Sequence, residues 1–445
     1  MWAGGVVKKS WMACAMLCVF LVFVGGCGRK KLGVAHIYQP LAGPAHRLNF
    51  RWLKGVVRQF EKRHPGLPVK LEQIPWDKID AKAISDYRAG VGHDVLMSSP
   101  QFMPQHFEVG DLLDLTPYVS RWSQEKREDI SWSPAWRKCE QGGSRLGIPT
   151  GVHTRVVVFR RDMFEEVGLD TGHPPENLDE LVEAARKLTR DTDGDGKTDV
   201  WGLGLYMGPL RATIELYFAP LLWHFGGELY DEGTRRAIFA SDAGVRAVRF
   251  LDDCIHKHKI TPAWACSGTY DDVIQQPFLD GRLAMAWGWG NYWNKVLEEK
   301  GWIQGLVPPT PEGREIRVGI FVTPTKGKAQ FTNAWAVSVH KLSRRPREAF
   351  SFIEVVLEPS NLEAYPDAGL PALKSIWGKK EYQNHWYGVW REAAEAGRPM
   401  PNTPHYYDLA DTVASALQEV ILKGAEPAAT LKRYQDEFND RYARP

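Results

Sequence analysis

Val156-Val157-Val158-Phe159 runs directly into Arg160-Arg161-Asp162-Met163-Phe164. Four consecutive apolar residues bounded by charge describe a strand buried on both faces, as in the centre of a parallel sheet. The charged segment after it starts a helix over residues 162–167, and a second helix is predicted over 178–189, with Asn177 as its N-cap. Upstream, residues 48–63 have helical apolar spacing and stop at His64-Pro65-Gly66. Val69 to Ile74 alternate as a strand, residues 77–89 form a helix ended by Gly90, and Asp94-Val95-Leu96-Met97 is a short buried strand. Downstream the pattern predicts a helix over 243–256, strands over 283–287 and 334–339, and helices over 347–357, 408–422 and 428–439. Strands and helices that alternate in this way predict α/β layers with mainly parallel sheets. No fixed-period repeat is visible, which excludes solenoids and propellers.

At 445 residues the chain exceeds what one compact core accommodates, so two domains are expected. Lys8 and Lys9 supply the whole net charge of +2, and the remainder of the chain balances. That neutrality argues against a nucleic-acid binder, and 44% hydrophobic residues argue against disorder. The 18 tryptophans suit either a large core or a surface that grips flat rings.

The amino terminus points to export. Lys8 and Lys9 precede an apolar run over 11–24, and Gly25-Gly26-Cys27 follows. A charged start, a short apolar stretch and small residues before the cut describe a secretory signal over 1–26. A cysteine directly after the small pair is similar to a bacterial lipobox, which makes Cys27 the lipidation residue. The alternative is an uncleaved anchor, because the 19 residues from Ser10 to Gly28 carry no charge. Either way the body lies outside the cytoplasmic membrane, at the cell surface or in the periplasm. Cys139, Cys254 and Cys266 remain; no CxxC or Cys/His cluster occurs, and both a Cys254–Cys266 bridge and three free thiols stay open.

A set of segments in register over roughly 47–440 resembles family 1 of the extracellular solute-binding proteins, the sugar-capturing lipoproteins of ATP-driven importers that include maltodextrin-binding proteins. The segments are Phe60-Glu61-Lys62-Arg63-His64-Pro65-Gly66, Ala89 through Val95, Gly110-Asp111-Leu112-Leu113-Asp114-Leu115-Thr116-Pro117-Tyr118 and Gly147-Ile148-Pro149. Val158 through Phe164, Pro174-Pro175-Glu176-Asn177-Leu178-Asp179-Glu180-Leu181, Phe225-Gly226-Gly227-Glu228-Leu229-Tyr230-Asp231, Phe278 through Met285 and Met400-Pro401-Asn402-Thr403-Pro404 complete it. His93, where relatives usually carry proline, and the segment Trp287-Gly288-Trp289-Gly290-Asn291-Tyr292-Trp293 depart from the pattern. The resemblance implies two discontinuous α/β lobes closing on a ligand around a hinge of two or three crossing segments. Lobe one is expected at 33–153 plus 315–360 and lobe two at 154–314 plus 361–440. It also implies a carbohydrate ligand and a membrane permease of the ABC type as partner. No Walker A pattern occurs, so the ATPase is a separate subunit.

A sugar presents hydroxyls at its rim and C–H faces above and below, so aromatic rings and polar side chains are the residues to look for. Trp287, Trp289 and Trp293 follow a strand whose end should reach the cleft, and Trp287 and Trp289 are expected on one strand face; the alternative is core packing, the commoner use of aromatic residues at this spacing. The resemblance adds Ser98, Ser99 and Gln101 after the strand ending at Met97, His153 before the first hinge segment, and Tyr217 as a stacking ring. Trp76, Trp335 and Tyr406 complete the set; each taken singly fits a core better than a ligand site, and it is their number around one expected cleft that favours stacking. A separate feature is Asp191-Thr192-Asp193-Gly194-Asp195-Gly196-Lys197-Thr198-Asp199, with oxygen ligands at alternate positions and glycine sixth, as in an EF-hand. Asp191, Asp193, Asp195, Lys197 (through its carbonyl) and Asp199 would hold structural Ca²⁺. The twelfth position is Gly202, so the bidentate glutamate is missing, and a plain Asp/Gly turn is the alternative.

No catalytic constellation is evident: acidic pairs such as Glu165-Glu166 and Asp252-Asp253 sit on helices. A binding protein without catalysis or required cofactor is therefore expected. An exported polysaccharide-cleaving enzyme is the rival, since it too would be tryptophan-rich; a non-sugar solute is the other alternative.

Overall fold

A computed structural model describes residues 31–38, 43–75, 78–208, 211–290, 293–303, 318–365 and 369–442. The signal segment, Cys27 and Trp76 lie outside the described residues. Nine strands build two sheets: β1 (Leu32–Tyr38), β2 (Val69–Pro75), β3 (Val95–Ser98), β4 (Ile148–Pro149), β5 (Arg155–Arg160), β6 (Trp201–Gly204), β7 (Leu283–Gly290), β8 (Val318–Phe321) and β9 (Ala336–Val339).

The first sheet has the order β2-β1-β3-β9-β4. β1 runs parallel to β2 and β3, while β9 is antiparallel to both β3 and β4. The second sheet has the order β8-β5-β7-β6, in which β5 is antiparallel to both neighbours and only β6 and β7 are parallel. The apolar run Val156–Phe159 is thus central and buried, as predicted, but not parallel. A continuous apolar strand reports burial on two faces and carries no information on the direction of its neighbours.

Each sheet organises a separate hydrophobic core. The first gathers residues from Leu32 to Ile148 and from Trp335 to Ile376; the second gathers Val152 to Phe331 and Trp377 to Phe438, together with Phe102 and Leu370, which reach across from the first set of segments. Two expected boundaries move accordingly. Residues 318–331 join the second core because β8 pairs with β5, and Leu362, Tyr365, Leu373 and Ile376 pack in the first. The helix Leu178–Leu188 begins as predicted, with Asn177 Oδ1 accepting the Glu180 N–H at 2.9 Å. Cys254 is buried in the second core, Cys139 in the first, and Cys266 is half-buried; all three are unbridged.

Three segments cross between the cores and bond side by side. Gly151–Val152 pairs antiparallel with Leu370–Pro371. His153 and Asn333 exchange both backbone hydrogen bonds at 2.8 Å. The crossings place the carboxyl end of β3 beside the start of β5, and the candidate site is built there.

Candidate functional site

Lobe one brings the end of β3. Ser98 and Ser99 follow its last apolar residues, and Ser98 turns inward: its Oγ donates to the buried carboxylate of Asp80, from the first turn of the helix Ile79–Arg88. Asp80 also meets His106 Nε2 at 2.9 Å, and His106 Nδ1 meets Asp111 at 2.9 Å. Burial opposes the His106 charge, but the hydrogen bonds to Asp111 and Asp80 outweigh it and hold its pKa at about 9. Ser98 therefore belongs to an interior network. Ser99 and Gln101 turn toward the hinge, where Asn333 Nδ2 reaches Ser99 Oγ at 2.8 Å and Gln101 Oε1 at 3.3 Å. His153 and Trp335 are both largely buried and meet edge to face, with ring centroids 5.5 Å apart.

Lobe two contributes a carboxylate. Glu215 lies on a π-helical turn, Ile214–Phe218, a distortion that re-aims side chains and recurs at functional sites. Burial pushes its pKa up. The Tyr406 hydroxyl, the charges of Arg155 and Arg211, and a hydrogen bond from Gln101 all act against that shift. Tyr406 Oη donates to Glu215 Oε1 at 2.6 Å. Next to it, the Tyr407 ring stacks on Phe102 of lobe one, centroids 4.2 Å apart and planes 3° from parallel. The Arg211 guanidinium covers the Tyr407 ring at 3.9 Å. Gln101 and Phe102 of one lobe thus meet Glu215 and Tyr407 of the other, joining charged, amide and aromatic groups across the junction.

Sequence reasoning missed Asp80, Phe102, Arg155, Arg211, Glu215 and Asn333. Glu215 carried a readable signal, as the single charge in Ala212-Thr213-Ile214-Glu215-Leu216-Tyr217-Phe218-Ala219-Pro220-Leu221-Leu222. A charge inside such a run has no solvated face to occupy, so it must be buried with partners. Asn333 and Arg155 carried no such signal, because their contacts span long sequence separations.

The tryptophans separate. Trp287 and Trp289 are fully buried in the second core, not on a cleft face. Gly288 adopts φ +84° and forms a bulge, so Trp287 pairs with Val157 and Trp289 with the adjacent Val156. The two rings accordingly point to opposite faces of the sheet, against the expectation of a shared one. Trp287 packs on Tyr217 and Phe250, and Trp289 on Phe278 and Trp293. Tyr217 is a strut rather than a stacking platform: its hydroxyl accepts from Tyr206 N at 2.9 Å and donates to Trp287 O at 3.0 Å. Trp293 stays half-buried, stacked on Tyr270 with centroids 4.0 Å apart.

The acidic loop lies apart from this junction. The carboxylate oxygens of Asp191, Asp193 and Asp195 lie within 4.8 Å of one another. Asp191 accepts from Gly194 N and Gly196 N, both at 2.7 Å, and these bonds hold its pKa below the usual carboxylate range. Asp199 is tied instead to Thr192, and Lys197 Nζ pairs with Asp195 at 2.9 Å. Asp191, Asp193 and Asp195 thus converge on the exposed face of the loop, while the Asp199 carboxylate is occupied locally.

Residues 45–363 match the family described as bacterial extracellular solute-binding protein. A binding protein of Brucella abortus is 21% identical over 427 residues, covering 95% of this chain and 96% of that one. The arabinooligosaccharide-binding protein of Halalkalibacterium halodurans is 22% identical over 58% of this chain and 56% of its own. A solute-binding protein of an ABC transporter from Thermotoga lettingae, solved with α-D-tagatose, superposes with a TM-score of 0.77 at 22% identity, covering 92% of this chain and 99% of that one. That likeness extends to both lobes. Among the described residues no helix is long and apolar enough to cross a membrane. With the family match spanning well over half its length, the chain belongs to the bacterial extracellular solute-binding proteins.

Proposed function

We propose that this protein captures a sugar outside the cytoplasmic membrane and delivers it to an ABC-type import permease, without transforming it. The observation that carries the reading is the junction of Gln101 and Phe102 with Glu215, Tyr406 and Tyr407. Carboxylate and amide groups suit a hydroxyl rim, and aromatic rings suit a C–H face. The sugars named for the Thermotoga and Halalkalibacterium relatives support the class. Closure of two lobes about a three-segment hinge is the means of capture.

A thermal-shift panel of mono- and oligosaccharides tests the reading, since a ligand that binds only the folded state raises Tm. One sugar should give a saturable rise and emerge without new reducing ends. A flat panel would remove the sugar reading, and new reducing ends would establish the polysaccharide-cleaving alternative. In the same reading Cys27 carries a lipid after cleavage at residue 26; Cys27→Ser should move the protein from membrane to soluble fractions, and retention would mean an uncleaved anchor. Asp191, Asp193 and Asp195, with the Lys197 carbonyl, hold a structural Ca²⁺ remote from the sugar.

A further inference from the structure

The lobes touch at a second place. The helix Pro134–Lys138 and the strand Glu140–Gln141 of lobe one face residues 398–402 and the turn around Tyr230–Asp231 of lobe two, across a cavity of about 360 Å³. Asn402 spans the gap. Its Oδ1 accepts from Lys138 Nζ at 3.1 Å and from Gln141 Nε2 at 2.9 Å, and its Nδ2 donates to Gln141 Oε1 at 3.1 Å. Its backbone N–H donates to Glu232 Oε1 at 2.8 Å, fixing it to lobe two. Gln141 is held on its own side by donating to the Lys138 carbonyl at 3.0 Å.

Three properties make this contact sensitive to lobe position. The paired amides of Gln141 and Asn402 need both bonds in register, and bonds near 3 Å weaken steeply when the partners slide. Lys138 and Gln141 are both more than nine-tenths buried, so opening the junction without water would leave them unsatisfied. Lys138 has no carboxylate within 4.0 Å among the described residues, so the neutral Asn402 is its acceptor across the gap. Burial lowers its pKa to about 8, with the nearby charge of Glu232 acting against that shift.

We propose that Lys138, Gln141 and Asn402 form a clasp that positions the two lobes, so that these residues set solute affinity without touching the solute. The clasp and the Gln101–Glu215 contact exist in the same lobe arrangement, so whatever stabilises one stabilises the other. A solute that needs this arrangement binds more weakly by the factor by which its population falls. The inference rests on the solute-binding reading for its affinity arm, but its lobe-position arm does not.

Two variants and two readouts test it. In ligand-free small-angle X-ray scattering, Asn402→Ala should give a larger radius of gyration than the unmodified chain. With the sugar found in the panel, its affinity should fall about three- to thirty-fold, carried mainly by faster dissociation. Asn402→Asp keeps the acceptor for Lys138 Nζ and Gln141 Nε2 but loses the donor to Gln141 Oε1, so it should lose less affinity than Asn402→Ala. Asn402→Ala with unchanged scattering and affinity would overturn the clasp. So would a lower Tm with affinity intact, which is the mark of a merely structural contact, and so would Asn402→Asp behaving like Asn402→Ala. If no sugar in the panel binds, the proposed ligand class fails while the scattering comparison still decides the clasp.

Discussion

Two neighbouring regions of lobe two, the aromatic strand and the turn around Glu215, are used by the fold in opposite ways. The aromatic strand β7 turns Trp287 and Trp289 into the interior, each packed on other rings. The π-helical turn beside it sends one carboxylate, Glu215, to the junction with lobe one. Indole rings are abundant because a large core needs volume, whereas a buried carboxylate is costly and persists only where partners surround it. The lone charge in the apolar run marks the lobe junction, whereas Trp287 and Trp289 mark the interior of lobe two.

The most forceful way to break the comparison is to truncate the rings. Trp287→Ala or Trp289→Ala should cost about 3–5 kcal/mol of unfolding free energy in a denaturant titration, the scale of emptying a packed aromatic site. Sugar affinity of the remaining folded protein should change by less than about three-fold. Near-normal stability with lost binding in either variant would return that tryptophan to the cleft. Glu215→Gln should do the reverse. Replacing the carboxylate by an isosteric amide should weaken sugar binding by about 1–3 kcal/mol in calorimetry, the range for a lost charged hydrogen bond. Stability should hold or rise, because burial already disfavours the Glu215 charge. Unaltered affinity would reduce Glu215 to a junction contact.

What could be read from the residues divides along the same line. Strand and helix alternation gave α/β layers because burial and periodicity are local, the division into two lobes came from resemblance, and Asn177 could be recognised as a cap because its partner is three residues away. Strand direction in the second sheet could not be read, since antiparallel neighbours leave the run Val156–Phe159 unchanged. The faces of Trp287 and Trp289 were misread because a bulge at Gly288 shifts the period by one residue, and a Trp-Gly-Trp triplet fits a regular strand equally well. Gln101 and Tyr406, singled out with the help of the resemblance, do lie at the lobe junction, whereas Asn333 and Arg155 depend on chain crossings that no local pattern encodes.

The Asp80–His106–Asp111 network sharpens the contrast from lobe one. His106 has a folded pKa of about 9 against the ordinary 6.5, so the protonated form is favoured by folding. Its contribution is fully present below pH 6.5 and is lost as pH rises through 9. Unfolding free energy should therefore decline by on the order of 1–3 kcal/mol between those limits. His106→Asn should flatten that segment and be most destabilised relative to the original at the acidic end. A parallel pH profile in the variant would mean that another group carries the dependence.

The smallest effect concerns the acidic loop, where the test must separate a cation from a turn. Asp191 already spends both carboxylate oxygens on backbone N–H groups, so the loop keeps its shape without metal, and calcium adds only the energy of three converging carboxylates. With Asp199 tied to Thr192 and Gly202 in the twelfth position, a bound calcium would depend on water to complete its shell, and its expected affinity is in the weak extracellular class, Kd on the order of 0.1–1 mM. At about ten times such a Kd, linkage gives roughly 1.4 kcal/mol of added stability, seen as a Tm rise of a few degrees over chelator. Asp193→Ala and Asp195→Ala should abolish the rise and leave sugar affinity unchanged, because the loop lies apart from the lobe junction. Equal melting with calcium and chelator in the unmodified chain would make the loop an Asp/Gly turn whose geometry is maintained by its own hydrogen bonds.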